Sequence, residues 1–114
     1  MSIQSFKDLV VWQKARDFSV EVYTTFSEIR DFSFRDQVQR AALSIPNNIA
    51  EGHARRSDKA FRNFLFIAKG SAAEVESMLL IATKLKYITE AQQKELVSQV
   101  QEVAKLTAGL IKKL

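Results

Sequence analysis

The stretch SIPNNIAEGHARRS, residues 44–57, decides how this chain folds. It contains the single proline, two adjacent asparagines and one of the three glycines, all poor helix formers, between segments with helical patterns. The stretch is therefore either a loop between two helices or a helix that bends. The apolar positions that cross it keep a helical spacing, which favours one continuous helix: Val38, Ala41, Ile45, Ile49 and Gly52.

Pro46 is the main obstacle to such a helix. A proline inside a helix costs about 3 kcal/mol, because it lacks the N–H that would bond the carbonyl four residues earlier, here that of Ala42. One solution is a new helix that starts at Ser44 as N-cap, with the proline in its first turn. The other is a kinked helix in which Asn47, Asn48 or water satisfies the freed groups. The in-phase apolar positions favour the kinked helix.

Three further runs have the apolar spacing of amphipathic helices. Ser5 and Ser57 are candidate N-caps of the first and third runs, and Thr89 with Gln92 forms a capping-box pattern before the fourth. The predicted helices lie at about 6–29, 35–56, 58–86 and 90–113. The fold prediction is a single all-α domain over residues 1–114, an antiparallel up-down-up-down four-helix bundle whose second helix is kinked near Pro46.

The third predicted helix has an apolar face too wide for one neighbour to cover. Its main stripe consists of Phe61, Leu65, Ala68, Ala72, Val75, Leu79 and Ala82, and a second stripe of Phe64, Ile67, Ser71, Met78, Ile81 and Leu85 lies beside it. Small residues at 68 and 70–73 would allow another backbone to approach closely. Tight packing within the chain and contact with a second subunit both explain this face. The same two explanations apply to Trp12 and Tyr23, which lie off the apolar stripe of the first helix.

The composition excludes several kinds of chemistry. The chain has no cysteine and one histidine, His53, so it cannot form a disulfide, a thiolate metal site or, by itself, a di-iron or zinc site. Glu51 and His53 are two residues apart on a helix and face different sides. We therefore expect no enzyme activity and no cofactor. The start of the chain has no signal-peptide pattern and no window is long and apolar enough to span a bilayer, so we expect a soluble, cytoplasmic protein.

The polar and charged residues of the second helix form a row. Arg40, Ser44, Asn48, Glu51 and Arg55 lie along one side of it, next to the apolar stripe. The row is either a solvated face or a partly buried network that ties the kink to a neighbouring helix or subunit.

The net charge of +4 is concentrated in the middle of the chain, where residues 35–69 contain seven Lys or Arg and three Asp or Glu. Such a segment attracts phosphates, although positive charge also serves solubility. The candidate nucleic-acid-binding residues cluster around the turn between the second and third helices and the start of the third helix: Arg55, Arg56, Lys59, Arg62 and Lys69.

Four segments carry a resemblance to a known family: DLVVWQKA at 8–15, QVQRAALSIPNNIAEGHARRS at 37–57, FLFIAKGSAAEVESML at 64–79 and LKYIT at 85–89. They resemble the bacterial four-helix bundle family, also called the 23S ribosomal RNA intervening-sequence protein family, over nearly the whole chain. Residues that match the family's signature are Asn48, Glu51, Gly52, Arg56 and Ser57, and Trp12 with Gln13 matches its first-helix element. Lys86 departs from the pattern, because it stands at a usual glycine position.

The resemblance implies a small antiparallel bundle without established activity. Similar bundles are accessory proteins of reverse transcriptases in diversity-generating retroelements, where they form a five-membered ring with a basic surface that binds nucleic acid and the transcriptase. We therefore expect a non-enzymatic homo-oligomer, with a pentamer favoured, that binds RNA or DNA through its basic surface as an RNA-associated or adaptor protein. The alternative is a protein–protein interaction scaffold that does not bind nucleic acid.

Overall fold

The computed structural model describes residues 5–114, so the first four residues of the predicted domain lie outside it. The four helices are α1 (Val10–Phe26), α2 (Phe32–Ala54), α3 (Asp58–Lys84) and α4 (Glu90–Lys113), and a short 3₁₀ helix, Phe6–Asp8, precedes α1. The described part of the chain contains no strand. The prediction of an all-α four-helix fold is confirmed.

The helices pack in a ring of neighbours, in which α2 contacts α1 and α3 while α4 contacts α3 and α1. The helices α1 and α3 are therefore diagonal to each other. Ser19 and Tyr23 of α1 bond to Ala42 and Gln39 of α2, so residue numbers rise along one helix as they fall along the other. We interpret this order as that of antiparallel neighbours joined by short connections.

The core lies where the apolar stripes of the four helices meet. All seven residues of the main stripe predicted for α3 are buried. The fully buried large side chains come from every helix and include Phe18, Phe26, Ile45, Leu65 and Leu96. Burial of an apolar side chain of this size contributes about 1.5 to 3 kcal/mol, so this shared core is the main source of stability.

The first helix begins later than predicted, at Val10 rather than near residue 6. Ser5 does act as a cap, but its side chain accepts the N–H of Lys7 and so caps the 3₁₀ helix. Leu9 then adopts an extended conformation, with φ −76° and ψ 125°, and is 7% exposed. A buried leucine at the joint thus separates the 3₁₀ helix from α1.

The second helix begins earlier than predicted, at Phe32 instead of residue 35, because Asp31 caps it by accepting the N–H of Phe34. The same carboxylate accepts the Tyr87 hydroxyl at 2.8 Å, which links the α1–α2 and α3–α4 connections at one end of the bundle. The hydrogen bonds from the Phe34 backbone and then from Tyr87 lower the pKa of Asp31. The hydrogen bond that the Tyr87 hydroxyl donates to Asp31 stabilises the protonated phenol and so raises the pKa of Tyr87.

The third helix ends at Lys84, two residues before the predicted end. Two backbone hydrogen bonds from the residues that follow it terminate the helix. The N–H of Lys86 bonds the carbonyl of Thr83, and that of Tyr87 bonds the carbonyl of Ala82. This Schellman pattern requires a left-handed residue after the C-cap, and Lys86 has φ 62°. The fourth helix has the predicted bounds, and its capping box between Thr89 and Gln92 is present.

Helix α2 continues through Pro46, which excludes the new helix start at Ser44. The carbonyl of Ala42, which lacks its usual donor, lies 2.9 Å from the hydroxyl oxygen of Ser19 in α1. Ser19 is 2% exposed and Ala42 fully buried, and the same hydroxyl lies 2.8 Å from the carbonyl of Ala15 in its own helix. The single proton of this hydroxyl is therefore shared between the carbonyls of Ala15 and Ala42. Of the donors expected for the freed groups, which were Asn47, Asn48 or water, neither asparagine side chain bonds the Ala42 carbonyl, and Asn48 bonds the carbonyl of Ser44 instead. The kink itself stays a prediction.

Asn48 belongs instead to a second polar contact. Its amide lies 2.7 Å from the Ser44 carbonyl oxygen and 2.9 Å from the Ser44 hydroxyl oxygen. That hydroxyl is 2.9 Å from the hydroxyl of Ser71 in α3. The middle of the polar row therefore forms a partly buried network between α2 and α3, whereas Arg40, Glu51 and Arg55 are exposed.

Gly52 allows a close approach between α2 and α3. A Cβ atom on this residue would lie 2.6 Å from the Cβ of Phe64 and 3.1 Å from a ring carbon of Phe61. The first of these contacts is shorter than carbon atoms tolerate, and a Cβ is fixed to the backbone. Any other residue at position 52 must therefore push the two helices apart.

We expect Gly52→Ala to lower the free energy of unfolding by about 1 to 3 kcal/mol, the usual range for an overpacked core position. Denaturant unfolding followed by circular dichroism measures this change. Gly109→Ala in α4 is the matched control, because nothing lies within 4 Å of a Cβ built there. It should raise stability by about 0.5 to 1 kcal/mol through helix propensity alone. Equal effects of the two substitutions would contradict the packing argument.

The Ser19 contact gives a second prediction. Ser19→Ala should cost about 1 to 3 kcal/mol, because it leaves the buried Ala42 carbonyl without a donor. In a Pro46→Ala background the backbone N–H of residue 46 is restored, so the same Ser19 substitution should cost clearly less. A double-mutant cycle by denaturant unfolding measures this coupling. Additive effects would show that Ser19 does not compensate for the proline.

Candidate nucleic-acid interface

The connection between α2 and α3 brings Arg55, Arg56 and Lys59 to one end of the bundle. Ser57 is the N-cap of α3, with its side chain accepting the N–H of Ala60 at 3.2 Å. This cap allows α3 to start directly after a connection of three residues, 55–57. Arg55 and Arg56 therefore precede the first turn of α3, in which Lys59 lies.

Three of the candidates share one exposed side of α3 with an aromatic residue. Lys59, Arg62, Phe66 and Lys69 follow one another at spacings of three, four and three residues, which places them along one face of a helix. All four are exposed, and the side chain of Phe66 is 53% exposed. We call these four residues the α3 basic stripe. It extends about 15 Å along the helix axis, at 1.5 Å per residue.

Phe66 is the residue that sequence reasoning missed. The sequence does contain a sign of its exposure, because Phe66 belongs to neither of the two apolar stripes of α3. A large aromatic side chain between two cations on a solvent-exposed surface is well suited to stacking on a nucleic-acid base.

Arg55 differs from the other candidates, because its charge is already paired. Its guanidinium lies 2.8 Å from the carboxylate of Glu51 and 5.2 Å from the centre of the Phe64 ring. By contrast, within residues 5–114 no carboxylate lies within ion-pair distance of Arg56, Lys59, Arg62 or Lys69. Among the five candidates, the unpaired positive charges are therefore those of the α3 basic stripe and Arg56.

Arg56 is held in a left-handed backbone conformation, with φ 58°, where α2 ends. It lines a shallow depression of about 260 Å³ together with His53, Ser57 and Phe61. The imidazole of His53 packs edge-on against the Phe61 ring, with 5.7 Å between ring centres. His53 therefore packs against the edge of the hydrophobic core at Phe61.

The signature residues have mainly structural contacts. Asn48 forms the network with Ser44, Gly52 permits the α2–α3 approach, Ser57 caps α3, and Glu51 pairs with Arg55. Together they determine where α3 begins relative to α2. The signature thus positions the α3 basic stripe.

The two aromatic residues off the stripe of α1 differ in exposure. Trp12 is half-buried, in edge-on contact with Phe6 at 5.1 Å between ring centres, and the guanidinium of Arg16 lies over its ring. Tyr23 is 45% exposed, and its backbone carbonyl accepts the side chain of Gln39. Trp12 is therefore a partly buried core residue, whereas the Tyr23 ring faces solvent.

Residues 5–114 contain no group of three or more His, Asp or Glu side chains placed to hold a metal ion. None of the helices in this part of the chain is both long and apolar enough to cross a membrane.

Comparison with known proteins places these features in a family. The profile of the 23S rRNA-intervening sequence protein family matches residues 7–109. The fold is similar to the crystal structure of a protein of unknown function from the S23 ribosomal protein family of Bacteroides thetaiotaomicron. That similarity has a TM-score of 0.85 and 32% sequence identity, and covers 90% of this chain and 99% of the other. No curated protein gives a significant match.

Proposed function

Because the chain belongs to the 23S rRNA-intervening sequence protein family, we propose that it is a non-enzymatic, homo-oligomeric bundle that binds nucleic acid through the α3 basic stripe. The observation that carries this proposal is the row of unpaired cations around the exposed Phe66. A cytoplasmic location and an RNA-associated or adaptor role belong to the same proposal. The absence of cysteine fits a reducing compartment.

The chemistry of the stripe favours single-stranded nucleic acid. Lys59, Arg62 and Lys69 can follow a phosphate backbone, and the ring of Phe66 offers a surface on which a base can stack. Stacking of this kind contributes about 1 to 3 kcal/mol per base and depends little on sequence. Contacts to phosphates release counterions, so the affinity should fall steeply with salt.

We expect Arg62→Glu combined with Lys69→Glu to weaken binding of a single-stranded oligonucleotide by about tenfold or more, because attraction becomes repulsion. Phe66→Ala should weaken binding to single strands more than binding to duplexes, because only unpaired bases can stack on the ring. Filter binding at low and high salt measures both effects.

The matched control is Lys84→Glu combined with Lys94→Glu, which makes the same charge change outside the stripe. It should leave oligonucleotide affinity within about twofold of the wild-type value, since screening limits the reach of distant charges. An equal loss in both double variants would mean that binding is diffuse. No binding of the wild-type protein at low salt would instead favour the scaffold alternative, in which the basic residues only keep the protein soluble.

A second side of α3 supports the oligomer in this proposal. Ile67, Ile81 and Leu85 of the second predicted stripe are 47 to 52% exposed, although Met78 of the same stripe is buried. Gly70 is also exposed, and no intrachain atom lies near it to explain a glycine inside a helix. Repeated copies of the chain around a ring would cover this apolar face and multiply the positive potential of the stripe. We favour a pentamer.

Light scattering tests the oligomer directly. We expect a molar mass several times the 13.0 kDa of one chain, with five copies favoured. Ile67→Glu combined with Ile81→Glu should reduce that mass without unfolding the bundle, because both side chains are about half exposed. Val20→Glu, at an apolar position of α1 that is 62% exposed, serves as the control and should keep the mass unchanged. A monomeric wild-type protein would contradict the proposal.

A further inference from the structure

A groove of about 890 Å³ lies between α3 and α4, next to their connection. The α3 basic stripe begins at the opposite end of α3. The groove residues relevant to its chemistry are Leu80, Lys84, Lys86, Glu90, Lys94 and Val97. The groove therefore shares no residue with the proposed nucleic-acid interface, and Leu80 lies 11 residues beyond Lys69 on the same face of α3, about 16 Å along the helix axis.

The floor of the groove is apolar. Leu80 of α3 is 46% exposed there, and Val97 of α4 is half-buried and packs against the core. Exposed leucine side chains are common on protein surfaces and need no explanation when they occur singly. Here the leucine lines a concave site that a second aliphatic side chain also lines, which suits an apolar anchor from a partner.

The rim of the groove is cationic. Lys84, Lys86 and Lys94 line the groove, and Glu90 is the one carboxylate among the lining residues. Within residues 5–114 none of these three lysines has a carboxylate within ion-pair distance. Glu90 lies in the first turn of α4, where the positive end of the helix dipole attracts it. The rim therefore carries an excess of positive charge without a partner.

Lys86 adds a backbone observation to the charge pattern. Its left-handed conformation, with φ 62°, costs a residue with a Cβ roughly 1 kcal/mol relative to the glycine that helix ends prefer. Lys86 adopts this unfavourable conformation at a position where its side chain lines the groove. Strain of this kind is often kept where a side chain has a functional contact.

We propose that the α3–α4 groove binds an acidic amphipathic helix of a partner protein. Apolar side chains on one face of that helix would rest on Leu80 and Val97, and its carboxylates would meet the three lysines. This is the helix-in-groove mode of recognition, in which apolar anchors supply affinity and charges supply orientation. Nucleic acid fits the groove less well, because no aromatic side chain lines it to stack on a base.

The length of the groove agrees with this occupant. On α4 its lining runs from Glu90 to Gln101, about 17 Å along the helix at 1.5 Å per residue. A bound helix of about three turns would cover that distance. Together with the α3 basic stripe, the groove would let one bundle hold nucleic acid at one site and an acidic protein segment at another.

The test uses a fluorescein-labelled synthetic peptide of about 12 residues, with leucines at i, i+3, i+4 and i+7 and glutamates elsewhere. Fluorescence anisotropy with the full-length protein should show saturable binding at low salt. A peptide with glutamine in place of each glutamate should bind about tenfold more weakly, and so should a peptide with serine in place of each leucine.

Protein variants assign the binding to the groove. The double variant Lys84→Glu and Lys94→Glu should bind the acidic peptide about tenfold or more weakly than the wild-type protein. The double variant Lys84→Arg and Lys94→Arg keeps the charges and should retain the wild-type affinity. Circular dichroism of each variant verifies that the bundle is folded. The Arg62→Glu and Lys69→Glu double variant should bind the peptide like the wild-type protein, even where its binding of oligonucleotides is lost.

Three outcomes would overturn the inference. The first is no saturable binding of the peptide by the wild-type protein, and the second is unchanged binding by the folded Lys84→Glu and Lys94→Glu variant. The third is displacement of the peptide by a single-stranded oligonucleotide as efficiently as by unlabelled peptide, which would make the groove part of a nucleic-acid surface. If the wild-type protein binds the peptide but not the oligonucleotide, the proposed nucleic-acid binding is contradicted and the inference about the groove is unaffected.

Discussion

The close approach of α2 to α3 at Gly52 is the constraint on which the rest of this bundle depends. With no Cβ at this position, the backbone of α2 lies directly against Phe61 and Phe64 in the first two turns of α3. That contact sets where α3 starts, and the Ser57 cap and the Ser44–Ser71 hydrogen bond continue the same seam. The face of α3 directed to solvent, with its cations and Phe66, is a consequence of this packing.

The features that could be predicted from sequence are those determined by nearby residues. The bounds of α4 follow from a capping box between Thr89 and Gln92, three residues apart. The main apolar stripe of α3 was also predicted in full, because its helical period alone identifies the face directed at the core. The start of α1 was not, since a capping serine has the same appearance before a 3₁₀ helix as before an α-helix.

Other features depend on residues far apart in the chain. The partner of the Ala42 carbonyl is Ser19, 23 positions away, and no local pattern connects them. At the candidate site, the basic residues could be named from composition, but the pairing of Arg55 with Glu51 and the exposure of Phe66 depend on how the helices pack. Sequence therefore indicated the charge of the surface, and structure separated the free cations from the paired one.

The bond between Ser19 and Ala42 also makes α2 dependent on a neighbour for a backbone group of its own. Most helices satisfy their interior carbonyls within themselves, whereas Pro46 leaves one carbonyl of α2 without its usual donor. A donor on α1 lies at hydrogen-bond distance from that carbonyl, so α2 can bury it in the core only while α1 is packed beside it.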